Sequence, residues 1–124
     1  MNPAKIYTPQ TARVVPWDKI EEYYADLVNH GLTLQSMLSL VRFIRENGFD
    51  KRLYAFTSMH KLVISIYDPP EWNREALHIE FDMYSKKIHF RYYPKPFRMT
   101  EAENFYPEED VIPRFSRYMS HLKW

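Results

Sequence analysis

Cysteine is absent from this 124-residue chain. Disulfide staples, thiolate catalysis and cysteine-based zinc sites are therefore excluded. Glycine is almost as scarce, with two residues, Gly31 and Gly48, against an average usage of about 7%. Loops that cradle phosphate and folds that bind dinucleotides need glycine so that backbone can approach the ligand, and the chain lacks the means to build them. A surplus of one charge is also missing. Seventeen Lys and Arg oppose 16 Asp and Glu, a formal net charge of +1, and the basic residues are scattered. Such a balance produces no long-range field to gather a phosphate backbone or an anionic lipid surface. No apolar run reaches the length of a membrane span, and no apolar stretch follows Met1-Asn2-Pro3-Ala4-Lys5 as it does in a secretory signal. The expectation is a soluble, cytoplasmic protein with no cofactor and no membrane partner.

What is plentiful is aromatic. Aromatics make up 17% of the residues, and ten of them are tyrosines. Tyrosine suits apolar faces with wet edges, and it suits binding surfaces. The most regular stretch is Leu77 to Pro94. Leu77, Ile79, Phe81 and Met83 alternate with His78, Glu80 and Asp82, and after Tyr84-Ser85-Lys86-Lys87 the alternation resumes with Ile88, Phe90 and Tyr92. This predicts a half-buried antiparallel hairpin. A turn at Ser85-Lys86 pairs Met83 with Ile88, Phe81 with Phe90, Asp82 with His89 and Glu80 with Arg91. A one-residue slip would turn one strand inside out.

Upstream, a second hairpin is expected from Leu53–Thr57 and Leu62–Tyr67 around Met59-His60, with Ala55 opposite Ile64 and Phe56 opposite Val63. That turn lacks Asn-Gly chemistry, so its register is less constrained. Before it lie two helices. Helix one starts at Pro16, a good first helical residue, and shows Trp17, Ile20, Tyr24, Leu27 and Val28 on one face. Helix two is capped by Thr33 and shows Leu34, Met37, Leu38, Val41 and Ile44. Gly31 and Gly48 fall where each helix ends, at positions that want a left-handed backbone. A third helix begins at Pro107 or Pro113 and buries Val111, Phe115, Tyr118 and Leu122.

The fold class is therefore α+β in two layers. Two helices precede a four-stranded antiparallel meander, a C-terminal helix follows, and all helices lie on one sheet face. Residues 1–15 form an arm, with a short edge strand around Lys5-Ile6-Tyr7, and residues 16–124 form one domain. Residues 95–106 are expected to be a loop, carrying Phe97, Met99, Phe105 and Tyr106.

Function is sought on the open face. Its first hairpin offers Tyr54, Phe56, Val63 and Tyr67, too apolar for an ordinary solvated surface. Its second offers His78, Glu80, Asp82, His89, Arg91 and Tyr93. The apolar part reads as a partner site, a self-association surface, or a patch covered by the arm or the 95–106 loop. The ionisable part reads most simply as cross-strand charge pairs. A metal needs ligands converging on one point, whereas same-face strand positions lie ~6.6 Å apart. A metal-independent ribonuclease is the sharper alternative, with histidine and glutamate as acid and base and Arg91 steadying the phosphorane. An RNA-stacking platform lacks its glycine-aromatic signature and basic flanks. The favoured expectation is a small non-catalytic protein-binding factor of the inhibitor, immunity or antitoxin kind. Its partner-binding residues are Tyr54, Phe56, Tyr67, His78, Glu80, His89, Arg91 and Tyr93. A protein partner ranks ahead of a homodimer, and both rank ahead of nucleic acid.

Overall fold

The computed structural model describes residues 14–68, 75–94 and 102–124. Helix α1 spans Trp17–Asn29 and α2 spans Gln35–Glu46. A short 3-10 turn, Phe49–Lys51, leads into strands β1 (Tyr54–Ser58), β2 (Lys61–Ser65), β3 (Ala76–Asp82), β4 (Lys87–Tyr93) and β5 (Ala102–Pro107). A second 3-10 turn, Glu108–Asp110, precedes helix α3, Val111–Leu122. The strands form one antiparallel sheet in the order β1-β2-β3-β4-β5. The class is α+β, as expected, but the meander has five strands and not four.

The expected helix faces turn toward the core, with Leu27, Val28, Tyr118 and Leu122 only half-buried. Ile20 and Tyr24 of α1, Met37, Leu40, Val41 and Ile44 of α2, and Phe115 of α3 are fully enclosed. They share one core with Ala55, Leu62, Ile64, Leu77, Ile79, Phe81, Ile88, Phe90 and Tyr92. The ladder pairs put all nine of these strand residues on the same side of the sheet. Period-2 alternation thus sorts each strand into a face under the helices and a face away from them.

Pro16 stands one position earlier than expected, as the residue before α1, and its carbonyl accepts the first helical N–H groups. The Trp17 indole N–H donates to the Leu53 carbonyl at 2.9 Å, which ties the start of α1 to the start of β1. Gly31 has φ +92°, and the amides of Gly31 and Leu32 donate to Val28 and Leu27, a Schellman closure of α1. Thr33 does not cap α2. The residue before that helix is Leu34, with no capping side chain, and Leu34 is buried in the core. Burial of an apolar side chain sets that helix start, in place of a hydroxyl cap. Pro113 falls in the first turn of α3, where a missing N–H costs nothing.

The two hairpins reverse the expectation about register. β1–β2 pairs Ala55 with Ile64 and Phe56 with Val63, as the sequence predicts. β3–β4 keeps its faces but is shifted by two residues: Phe81 faces Ile88, Ile79 faces Phe90, Glu80 faces His89 and His78 faces Arg91. The turn takes four residues, Met83 to Lys86, so Met83 leaves the core and stands 56% exposed. The Asp82 side chain fastens the longer turn. Its carboxylate accepts the Tyr84 N–H at 3.1 Å and the Ser85 hydroxyl at 2.8 Å, while the Lys86 N–H donates to the Asp82 carbonyl at 2.8 Å.

Residues 102–106 were expected in a loop but pair along β4, with Phe105 opposite His89 and Glu103 opposite Arg91. In Ala102–Pro107 the strand-favouring Phe105 and Tyr106 are outnumbered by Ala102, Glu103, Asn104 and Pro107, all depleted in strands, so its strand signal is weak. β5 lies at the edge opposite β1, so it does not roof the Tyr54–Phe56 patch. Of the arm, Val14 and Val15 are described, and the Val15 N–H donates to the Ala55 carbonyl at 2.8 Å. The edge strand expected at Lys5-Ile6-Tyr7, and the cover expected from Phe97 or Met99, lie outside the described residues.

Candidate functional site

The sheet face away from the helices is organised around His89. His89 is 8% exposed, although it lies on the face away from the helices. Its Nε2 lies 2.8 Å from Glu103 Oε1, and its Nδ1 lies 3.8 Å from Glu80 Oε1. The Phe105 ring stacks on it with centroids 4.0 Å apart and planes within 10°. β3 brings Glu80 to one side and β5 brings Glu103 and Phe105 to the other. Arg91 donates from Nη2 to the same Glu80 Oε1 at 2.9 Å. His89 Nε2 and the Arg91 guanidinium are therefore hydrogen-bonded to neighbouring carboxylates, and His89 Nδ1 faces Glu80 beyond hydrogen-bond distance.

His78, directly across from Arg91, is different. It packs on Tyr93 with ring centroids 4.6 Å apart, and its Nδ1 is buried with no hydrogen-bond partner among the described residues. Burial, reinforced by the charges of Lys61 and Arg91, holds its pKa down to about 3, so it is neutral throughout the physiological range. Burial also lowers Lys61, with Arg91 adding to the shift and Glu80 opposing it.

The remaining expected residues fall in two places. Tyr54 and Phe56 are half-buried on β1, paired with Ser65 and Val63, which are 1% and 5% exposed. Tyr67 lies beyond the last ladder pair of β2. Its hydroxyl donates to Glu75 at 3.2 Å, and the other Glu75 oxygen accepts from Tyr92 of the covered face at 2.7 Å. Tyr67 is thus drawn toward the end of the sheet, whereas His78, Glu80, His89, Arg91 and Tyr93 form one contiguous group on β3 and β4.

The large exposed apolar side chains sit elsewhere. Among the described residues they are Met59, Met83, Tyr84 and Phe105. Met59 is 92% exposed and Tyr84 is 99% exposed. Met59 belongs to the β1–β2 turn, and Met83 and Tyr84 belong to the β3–β4 turn. All three border a groove of about 650 Å³ that also reaches Leu32–Leu34, His60, Phe81, Glu80, Asp82 and His89. No Lys or Arg among the described residues lines this groove. Asp82 is held below the usual carboxylate range by the Ser85 hydroxyl and the Tyr84 N–H.

The Met59 turn is strained. Met59 and His60 have φ of 51° and 71°, a conformation that side-chain-bearing residues adopt rarely. It is held from α1: the Tyr24 hydroxyl donates to the His60 carbonyl at 2.9 Å, and the Tyr23 hydroxyl meets His60 Nδ1 at 2.6 Å. Met59, Met83, Tyr84, Glu103 and Phe105 were not singled out as site residues from the sequence. A signal existed for three of them: large apolar residues occupy turn positions where Asn, Asp or Gly is the rule.

Among the described residues, no group of three or more His, Asp or Glu is placed to hold a metal ion. No described helix is long and apolar enough to cross a membrane. Comparison of the chain with protein-family models, with curated proteins and with solved structures finds no match.

Proposed function

We propose that this protein is a non-catalytic binding factor, acting in the cytoplasm, that engages a protein partner through the sheet face away from the helices and the hairpin tips beside it. The observation that carries this reading is the clustering of Met59, Met83 and Tyr84 around one groove. Exposed apolar side chains scattered singly need no explanation, but a cluster rimmed by polar groups is the usual mark of a partner site. Met59 adds weight. It is exposed, it occupies a strained backbone position, and no packing in the fold accounts for a large apolar residue there.

The state of the ionisable groups supports binding over ribonuclease chemistry. Acid–base cleavage needs one imidazole or carboxyl free to take a proton and a cation free to meet the phosphate. His78 is neutral and enclosed, His89 is flanked by two carboxylates, and Arg91 is bound to Glu80. Two glutamates beside His89 also repel a phosphodiester.

The test is capture of the full-length tagged protein from its own cells, followed by native mass spectrometry. A stoichiometric protein companion is expected with the wild type. It is expected to disappear with Met59→Glu and Tyr84→Glu. RNA cleavage that is lost in His89→Asn would overturn the proposal in favour of the nuclease. A concentration-dependent mass for the isolated protein, abolished by a charge at Phe56, would instead identify a homodimer.

A further inference from the structure

We infer that the β1–β2 half of the sheet face away from the helices is the docking site of this chain's own N-terminal arm, residues 1–13. The arm then takes one half of that face and leaves the partner the other, from His89 to the hairpin tips. Tyr54, Phe56, Val63 and the adjoining His78 of β3 lie together on the half in question. The described helices pack on the opposite side, against Ala55, Ile64 and Leu77. An antiparallel sheet with one bare face shows that face to water, and a side chain at its middle is buried only when a second layer lies on it. Val63 is nevertheless 5% exposed, and Tyr54, Phe56 and His78 are half-buried. The Nδ1 atom of His78 is shut off from solvent altogether.

The arm is the segment that starts where such a layer is needed. From Trp17 back to Val15 the chain follows the free edge of β1: the Trp17 indole donates to the Leu53 carbonyl and the Val15 N–H donates to the Ala55 carbonyl. The arm therefore departs beside Tyr54 and Phe56. Strands are about 4.8 Å apart, so His78 on β3 lies roughly 10 Å from that edge. Thirteen residues can reach about 43–47 Å. The connection 95–101 joins β4 to β5, on the far side of the sheet from β1. The connection 69–74 leaves Asp68 and returns to Glu75, at the end of the sheet beyond Ser65 and Ala76. The arm also has the chemistry of a cover. Pro3, Ala4, Ile6, Tyr7 and Pro9 are apolar, and no residue from 1 to 13 is acidic. Its two prolines carry no N–H that burial would strand. Thr8 and Gln10 bring polar atoms that a buried imidazole nitrogen can use.

Because the chain has no cysteine, a nitroxide can be attached at one introduced site of the full-length protein. With the label at Lys5→Cys, the Val63 methyl and Phe56 ring signals are expected to lose most of their intensity, while Leu40 and Val41 of α2, under the opposite face, keep theirs. Ile6→Asp with Tyr7→Asp leaves the helical core untouched. It is expected to open Val63 to a soluble relaxation agent and to raise the His78 pKa from about 3 toward the ordinary 6.5, with the Leu40 and Phe90 signals in place. Val63 signals that keep their intensity with the Lys5→Cys label overturn the inference, above all if labels at Glu71→Cys or Arg98→Cys remove them. So does a Val63 that stays shielded, or a His78 that titrates as before, in the double variant. In a mixture of spin-labelled chain and isotope-enriched chain without label, loss of the enriched Val63 signal overturns it as well, because the arm on the face then belongs to a second copy.

Discussion

In the β1–β2 hairpin the chain reverses on Met59 and His60, while in the β3–β4 hairpin it reverses on the four residues from Met83 to Lys86. The shorter turn contains nothing that favours its own shape. Its two residues have positive φ without being Gly, Asn or Asp, and the stabilising hydrogen bonds come from Tyr23 and Tyr24 of α1. The longer turn fastens itself, through Asp82 to Tyr84, Ser85 and Lys86. One turn depends on a helix distant in sequence, and the other depends on its own side chains. The hairpin with poor turn chemistry nevertheless keeps the register that its apolar pattern suggests. The hairpin with perfect alternation sits two residues away. Alternation selects a face, and every even shift preserves the face. The turn selects among those shifts.

The largest effect that sharpens this contrast should come from the core of the second hairpin. Phe90 is fully buried, opposite Ile79 and stacked on Tyr118 at 5.0 Å. Phe90→Ala is expected to lower stability by about 3–5 kcal/mol in denaturant unfolding. For the first hairpin the turn itself is the sensitive point. Tyr24→Phe keeps the packing but removes the donor to the His60 carbonyl, and is expected to cost about 1–2 kcal/mol. A neutral result would mean that the Met59-His60 turn does not need α1.

Where the hairpins meet, His78 pairs across to Val63 on one side and Arg91 on the other. Its folded pKa, about 3, lies below the ordinary 6.5. The unfolded chain therefore takes up a proton that the folded chain refuses. This contribution to stability is complete above pH 6.5 and declines as pH falls toward 3, by at most about 1.4 kcal/mol per pH unit. His78→Gln should flatten the acid limb of the stability curve, and an unchanged limb would show that the imidazole is hydrated in the folded protein.

Met59→Asn should act in the opposite direction. Asparagine tolerates the left-handed region, so a gain of about 0.5–1 kcal/mol is expected, together with loss of the partner. Gain of stability with loss of binding is the signature of a strained functional position. The smallest effect is expected from Asp82→Ala. Hydrogen exchange should quicken at Tyr84 and Lys86, with no global unfolding and no change of the β3–β4 register. The wild-type tip should loosen in the same way only at pH below 3.8, because the folded Asp82 pKa lies below that value.

The helices were legible because their signals are local. Trp17, Ile20 and Tyr24 recur at helical spacing, and Gly31 marks the end of α1 by the conformation it permits. The candidate site was legible only in part. His78, Glu80, His89, Arg91 and Tyr93 could be assigned to one face from alternation, and they do share it. That His89 is flanked by Glu103 and stacked on Phe105 could not be read, because the partners come from β5, where Ala102, Glu103, Asn104 and Pro107 outweigh the strand preference of Phe105 and Tyr106. Tyr67 was assigned to the open face by counting in twos. The strand ends at Ser65, however, and the bend that follows hands its hydroxyl to Glu75.

The amino-acid sequence alone determined the three helices, the first four strands and the side of the sheet that each of their residues faces, because apolar periodicity is written into neighbouring positions. The tertiary structure decided the register of β3–β4, the pairing of Ala102–Pro107 as a fifth strand, the strained Met59-His60 turn and the groove at the hairpin tips. Each of those depends on contacts between segments far apart in the chain. Their energies are set by which groups meet once the core has closed, and no local pattern encodes that meeting.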